Sequence, residues 1–205
     1  MNCAVFASGG GSNFQALIDH QKSGELHVDF AVLISNNSKA YAGERARNNG
    51  IPAIHLPPSR FSTLEDYTRE LMKAMDEYSV DMIVLAGYMK IIPAAVVQRY
   101  RNRILNIHPA LLPSFGGKGM YGKKVHRAVL DYGSKISGIT VHFVDEQYDS
   151  GPIVLQVSTP VLDDDDPETL AERVLKLEHA NYWRAVEAVA RNKIAVSGRR
   201  VTGEI

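Results

Sequence analysis

Short apolar runs alternate with amphipathic stretches along the first half of the chain. The runs with the character of strands cover residues 3–8, 28–35, 51–56, 80–87 and 103–108. The helices predicted between them cover residues 12–22, 41–48, 63–78 and 94–100. Because the strand runs are apolar almost throughout rather than alternating, they favour a parallel sheet with helices packed on both faces.

The pattern changes after residue 108. A glycine-rich loop to residue 124 and a short helix to residue 132 precede two apolar runs, at 136–144 and 153–158, which can pair as a hairpin. A last helix is predicted from Asp166 to about residue 190, because Asp166 is a cap residue followed by a proline at the first helical position. The pattern therefore predicts one α/β domain over residues 1–205. Its sheet is open, twisted and mostly parallel, with helices on both faces and late strands that are partly antiparallel.

Composition and charge narrow the range of partners. The chain has 205 residues, and its 23 lysines and arginines balance its 23 aspartates and glutamates. Since the net charge is zero, neither a nucleic acid nor a membrane is expected as a partner. The single cysteine, Cys3, excludes an internal disulfide, and no targeting segment or long apolar run is present, so we expect a cytoplasmic protein. Monomer and homodimer both remain open.

The stretch "ASGGGSNFQALI", residues 7–18, joins the first strand to the first helix. A dinucleotide-binding fingerprint needs a third glycine where Phe14 stands, and a P-loop needs a lysine directly after the glycines, where none occurs before Lys22. Two interpretations remain open. The loop is either a site for a single phosphate, with donors from Ser12 and Asn13, or a tight turn into a helix capped by Ser12.

A pair of polar residues ends the strand in "RILNIHPALLPSF", residues 103–115. Asn106 and His108 are two residues apart, so both project from the same face of the strand, at the sheet edge where ligands bind in open α/β folds. Asp149, between the two late strands, can reach that edge. An amide donor, an imidazole and a carboxylate suit attack on a carbonyl group. The competing interpretation is a histidine and an asparagine bonded to neighbouring backbone, with Asp149 as a turn residue.

Glu178 is a charged residue in the inward arc of the last helix, four residues after Val174. A carboxylate in that position needs a partner. It either faces a hydroxyl or amine of a ligand or forms an ion pair with an arginine. No metal-ligand spacing and no evident serine or cysteine nucleophile occur in the chain, so neither a metal nor an acyl-enzyme is expected.

Taken together, five segments resemble the glycinamide ribonucleotide formyltransferase family, which acts in purine biosynthesis. They are "SGGGSNFQALI", "IVLAGYMKII", "LNIHPALLPSF", "GITVHFVDEQYDSGPIVLQ" and "RVLKLEHANYW", and they follow the family's order from the first strand to the last helix. The resemblance implies a Rossmann-like formyltransferase fold. It also implies transfer of a formyl group from the co-substrate 10-formyltetrahydrofolate to the amine of glycinamide ribonucleotide, without a metal. The amine is expected to attack directly, with Asn106 and His108 stabilising the oxyanion and Asp149 assisting.

The resemblance also assigns residues to roles. The positions that match the catalytic trio are Asn106, His108 and Asp149. Those that match the ribonucleotide site are Gly11, Ser12, Asn13 and Glu178. Those that match the folate pocket are Leu85, Met89, Lys90, Ile91, Ile92, Asn106 and Val144. Lys90 stands where arginine is common in the family, a substrate contact of Lys176 or Lys90 stays open, and the loop over residues 116–124 is longer than in some members.

Three alternatives differ from this expectation. A methionyl-tRNA formyltransferase shares "HPALLPSF" and "DSGP" but carries a further carboxy-terminal domain, whereas this chain ends at Ile205. A formyltetrahydrofolate hydrolase normally has an additional amino-terminal domain. A non-catalytic module that binds phosphate ligands would keep residues 11–13 but would not need Asn106, His108 and Asp149 together.

Overall fold

A computed structural model describes all 205 residues. Seven strands form one sheet in the order β3-β2-β1-β4-β5-β6-β7. Their bounds are β1 Asn2–Ala7, β2 Asp29–Ser35, β3 Ala53–His55, β4 Met82–Leu85, β5 Ile104–His108, β6 Ile136–Phe143 and β7 Ile153–Pro160. Strands β1 to β5 pair in parallel, while β6 is antiparallel to both β5 and β7. The predicted fold class is confirmed.

Six helices connect and cover the strands. Their bounds are α1 Ser12–Lys22, α2 Ala42–Asn48, α3 Leu64–Glu77, α4 Ala94–Arg99, α5 Lys123–Asp131 and α6 Pro167–Ala190. All six were predicted within a few residues of these bounds. A one-turn 3-10 helix at Pro58–Arg60 and a terminal hairpin of β8 (Ile194–Ser197) and β9 (Arg200–Gly203) were not predicted. These elements are three or four residues long and largely exposed, which is too short to establish an apolar period in the sequence.

Two separate cores explain why the central strands are apolar throughout. Along β1, Cys3, Val5 and Ala7 enter the core that contains α1 and α6, while Ala4 and Phe6 enter the core that contains α3 and α4. Successive side chains of a strand point to opposite faces of the sheet. A strand that is buried on both faces is therefore apolar at every position, instead of alternating between apolar and polar residues. Polar side chains on such a strand are therefore conspicuous.

The last helix, α6, is fixed at both its start and its middle. Asp166 accepts hydrogen bonds from the N–H groups of Glu168 (2.9 Å) and Thr169 (2.8 Å), and Thr169 Oγ1 accepts one from Asp166 N at 3.0 Å. This is the predicted cap, completed as a capping box. Near the middle, the hydroxyl of Tyr182 lies 3.0 Å from the carbonyl oxygens of both Leu85 and Leu105. These contacts join the helix to the end of β4 and to the first half of β5.

None of the helices combines the length and the apolar character that a membrane crossing requires. The division of the chain into domains stays a prediction.

Candidate active site

A cavity of about 400 Å³ lies at the carboxyl edge of the sheet, where β1, β4 and β5 end. Its wall includes Asn13, Asn106, His108, Asp149 and Glu178, which come from four different segments of the chain. Ligands of open α/β sheets bind at this edge. The structure thus brings these five predicted polar side chains to one cavity, whereas Gly11 and Ser12 lie off its wall.

Gly11 makes the turn from β1 into α1. It is the N-cap residue, with φ 68° and ψ 32°, and no side chain caps the helix. A Cβ on Gly11 would lie 2.7 Å from the Cβ of Ala42, so both the dihedral angle and the close packing require glycine. The open alternative of a helix capped by Ser12 is therefore excluded, because Ser12 is the first helical residue. The N–H groups of the first turn remain without helical partners and are open to an anion.

Glu178 is bonded to the first turn of α1. Its Oε2 accepts a hydrogen bond of 2.7 Å from Nδ2 of Asn13, and the residue is 8% exposed. Burial raises the pKa of Glu178 to about 7, although the hydrogen bond from Asn13 opposes the rise. Glu178 forms no ion pair, so the arginine partner considered from the sequence is excluded. Its carboxyl group lies on the cavity wall.

Asn106 is oriented by the neighbouring strand. It lies opposite His142 in the β5–β6 pairing, and its Nδ2 donates to Nε2 of His142 at 3.1 Å. The ring is fixed in turn because Nδ1 of His142 donates to the carbonyl oxygen of Phe143 at 2.8 Å. Nε2 of His142 is then the acceptor, and the second amide hydrogen of Asn106 is free for another partner.

Both ring nitrogens of His108 face protein groups. Nε2 donates to the carbonyl oxygen of Phe115 at 2.9 Å, and Nδ1 lies 3.6 Å from Oδ2 of Asp149. Burial lowers the pKa of His108, and this effect exceeds the opposite influence of Asp149 and of the Phe115 carbonyl. The imidazole is therefore neutral near pH 7 in the unliganded protein.

Asp149 is held between two histidines and a backbone turn. Burial alone would raise its pKa, but the nearby His108 and a hydrogen bond from Gly117 N (2.8 Å) lower it. Oδ1 of Asp149 lies 3.7 Å from Nε2 of His142. The carboxylate is thus ionised. Its hydrogen bond from Gly117 also joins it to the start of the loop over residues 116–124, to which the sequence assigned no role.

The residues expected in a folate pocket all line the same cavity. They are Leu85, Met89, Lys90, Ile91, Ile92, Asn106 and Val144. Met89 and Ile91 are half exposed, whereas Leu85 and Ile92 are buried. Lys176 is exposed and lies off the cavity wall.

Two further histidines lie on the wall. His142, on β6, is 2% exposed and contacts Asn106. His126, on α5, was not considered, although it is 4% exposed and its Nδ1 has no hydrogen-bond partner. Its place beside Val125 and Val129 on an amphipathic helix was the available signal. No group of three or more histidine, cysteine, aspartate or glutamate side chains is placed to hold a metal ion.

The fold and the cavity define the class of protein first. A cavity at the carboxyl edge of an open α/β sheet, beside a glycine-rich turn into a helix, is typical of enzymes with phosphorylated substrates. The adjacent asparagine, histidine and aspartate supply groups for carbonyl chemistry. A family model described as "Formyl transferase" matches residues 1–186, and the chain belongs to this formyl transferase family.

Individual relatives agree with this membership. The chain is 47% identical over 191 residues to a chloroplastic phosphoribosylglycinamide formyltransferase of Vigna unguiculata, covering 93% of this chain and 61% of that protein. It is 41% identical over 182 residues to the phosphoribosylglycinamide formyltransferase of Escherichia coli K12, covering 89% and 84%. The crystal structure of glycinamide ribonucleotide transformylase 1 from Symbiobacterium toebii superposes with a TM-score of 0.93 at 38% identity, covering 100% and 94%. The family resemblance found in the sequence is confirmed.

Proposed function

We propose that this protein transfers the formyl group of 10-formyltetrahydrofolate to the amine of glycinamide ribonucleotide, a step of de novo purine biosynthesis. The observation that carries the proposal is the shared cavity, which joins an apolar wall to the cluster of Asn106, His108 and Asp149 and extends to Asn13 in the first turn of α1. The names of the relatives give phosphoribosylglycinamide as the formyl acceptor, and the chemistry of the cavity suits both proposed substrates.

The ribonucleotide binds at the α1 end of the cavity. Its 5′-phosphate lies against the N–H groups that follow Gly11, with Ser12 and Asn13 as additional donors. Glu178 accepts a hydrogen bond from a hydroxyl or amine group of the same substrate. This bond replaces part of the hydration that the carboxyl group loses on burial. The glycinamide amine then extends along the sheet edge towards Asn106.

The folate binds at the opposite end, against the loop after β4. Leu85, Ile92 and Val144 supply apolar contact for the pterin ring, and the backbone of residues 89–92 offers hydrogen-bonding groups to its edges. Lys90 is exposed at the cavity mouth and adds a positive charge for the acidic end of the folate.

The reaction joins the amine nitrogen to the formyl carbon and then breaks the bond from that carbon to N10 of the folate. One proton leaves the amine and one arrives at N10. In the tetrahedral intermediate the formyl oxygen carries negative charge, and the free amide hydrogen of Asn106 is placed to donate to it. No covalent intermediate with the protein is needed.

His108 and Asp149 hold the proton in transit. The neutral imidazole of His108 accepts it as negative charge develops on the formyl oxygen, and the ionised Asp149 stabilises the imidazolium that forms. Nε2 of His108 donates a hydrogen bond to the carbonyl oxygen of Phe115. A direct hydrogen bond from Nε2 to the formyl oxygen therefore requires the bond to Phe115 to break.

An assay with three acceptors tests the proposal. The purified protein receives 10-formyltetrahydrofolate with glycinamide ribonucleotide, with methionyl-tRNA, or with water alone, and product formation is followed. We expect transfer to the ribonucleotide. Transfer to the tRNA alone, release of formate alone, or binding of the ribonucleotide without turnover would each overturn the proposal. The cytoplasmic location, the lack of nucleic-acid and membrane partners, and a monomeric or homodimeric state stay predictions.

A further inference from the structure

The three consecutive glycine carbonyls of the turn after β1 are all held by hydrogen bonds. The carbonyl oxygen of Gly9 accepts from Ala42 N at 3.1 Å, and that of Gly11 accepts from Gln15 N at 2.9 Å. The carbonyl oxygen of Gly10 accepts from Nε of Arg45 at 2.8 Å. Arg45 lies on α2 and is the only side chain among these three donors.

These bonds determine where the N–H groups of the turn point. In a planar trans peptide the carbonyl of one residue and the N–H of the next point in opposite directions. Because Arg45 holds the carbonyl of Gly10, the N–H of Gly11 is directed to the other side of the turn. Glycine has the widest backbone freedom of any residue, so the peptide between Gly10 and Gly11 needs such a tether to keep one orientation. A carbonyl oxygen turned towards a phosphate would repel it.

Arg45 is itself fixed in place and carries an uncompensated charge. Its Nη1 donates to Oε1 of Gln15 at 3.2 Å, and its guanidinium carbon lies 5.1 Å from the centre of the Tyr41 ring. No carboxylate pairs with it. Arg47, two residues further along the same helix, differs in this respect because it pairs with Glu44 at 2.5 Å.

We infer that Arg45 is a positioning residue for the phosphate of the substrate. It holds the Gly10–Gly11 peptide with its N–H towards the anion and leaves its positive charge close to the turn. This inference rests on the proposed function, because it assumes that the turn binds the ribonucleotide's phosphate. The two contributions are separable. R45K keeps the positive charge but loses the planar guanidinium group, whose Nε–H and Nη1–H reach Gly10 and Gln15 together. R45Q loses the positive charge.

Kinetics of the variants R45A, R45Q and R45K test the inference, with R47A as the matched control. We expect R45A to raise the KM for glycinamide ribonucleotide about tenfold and to leave kcat and the KM for the folate within about twofold. R45K should recover part of this loss. Glycinamide riboside, which lacks the phosphate, should bind wild type and R45A equally, and R47A should behave as wild type.

Three outcomes would overturn the inference: an unchanged ribonucleotide KM in R45A, an equal loss for the riboside, or the same effect in R47A. Thermal unfolding of each variant identifies a folding defect, and R45K and R45Q keep the test valid if R45A does not fold. Calorimetric binding of ribose 5-phosphate separates the two proposals. Suppose that the wild-type protein has no formyl-transfer activity but binds ribose 5-phosphate more tightly than the R45A variant does. The proposed function is then wrong, whereas the role of Arg45 in phosphate binding is supported.

Discussion

Asn13 and Glu178 are 165 residues apart in the chain, yet Nδ2 of Asn13 donates to Oε2 of Glu178 at 2.7 Å. The bond joins the first turn of α1 to the middle of α6 at the cavity wall. It gives the buried carboxyl group one donor, which is fewer than a carboxylate has in water. Glu178 is thus a buried acid that is incompletely compensated until a ligand arrives.

The first prediction concerns the dependence of stability on pH. The pKa of Glu178 is about 7 in the folded protein, against an ordinary value of 4.5. Its contribution to the free energy of unfolding is therefore complete below pH 4.5 and is lost as the pH rises to about 7, by a few kcal/mol. Denaturant unfolding of wild type and E178Q between pH 4.5 and 8 measures this difference. Parallel curves for the two proteins would contradict the assignment, because the other titrating groups are common to both.

The second prediction concerns the turn after β1. Gly11→Ala should destabilise the protein by at least about 1–2 kcal/mol, since alanine disfavours a positive φ and its Cβ would overlap Ala42. Gly10→Ala is the matched control, because its φ is not positive and no atom lies within 4 Å of an added Cβ. Thermal unfolding compares the two variants. Equal stability would show that Gly11 is not constrained as described.

The third prediction concerns the carbonyl chemistry. Asn106→Ala should lower kcat about 10²–10³-fold, the usual effect of removing a group that stabilises an oxyanion. His108→Ala should lower kcat about 10²–10⁴-fold, the usual effect of removing a group that accepts a proton, and neither variant should change ribonucleotide affinity much. Steady-state kinetics and ligand titration measure the two quantities. His27→Ala is a suitable control, because His27 is a surface residue paired with Glu187. Normal turnover in the His108 variant would exclude the proposed mechanism.

The fourth prediction separates binding from chemistry at the other end of the cavity. Asn13→Ala and Ser12→Ala should raise the KM for the ribonucleotide and leave kcat nearly unchanged, because a contact to a remote phosphate is the same in the ground state and the transition state. Initial rates at saturating folate provide both constants. A fall in kcat at unchanged KM would place these residues in the chemical step.

The fifth prediction concerns the titration of His108. Burial lowers its pKa and Asp149 acts in the opposite direction, so Asp149→Asn should lower the pKa of His108 further. Histidine proton resonances followed by NMR between pH 4 and 8 report this shift. The unliganded wild-type ring should be neutral at pH 7. A midpoint that stays the same in the variant would mean that Asp149 does not act on His108.

Local patterns were sufficient for most of the fold. The central strands are apolar on both faces because cores lie on both sides of the sheet, and this shows in the sequence as unbroken apolar runs. The cap of α6 is equally local, since Asp166 and Thr169 are three residues apart. The β8–β9 hairpin escaped prediction because its half-exposed residues carry no such period.

Several features of the cavity depend on contacts that no local pattern contains. Phe115 supplies its backbone carbonyl to His108, and a backbone acceptor leaves no trace in the type of residue. The N-cap at Gly11 depends on how closely Ala42 of α2 packs against the turn. The partner of Glu178 was undecided for the same reason.

The sequence by itself determined the order and type of the elements and the residues with the right chemistry, because periods of two and 3.6 residues and cap residues act over a few positions. Only the tertiary structure decided which of these residues meet. Asn13 and Glu178 come from opposite ends of the chain, and Arg45 reaches the turn after β1 from a separate helix. Such contacts form when helices pack on the sheet to bury apolar surface, and this packing is a property of the whole chain.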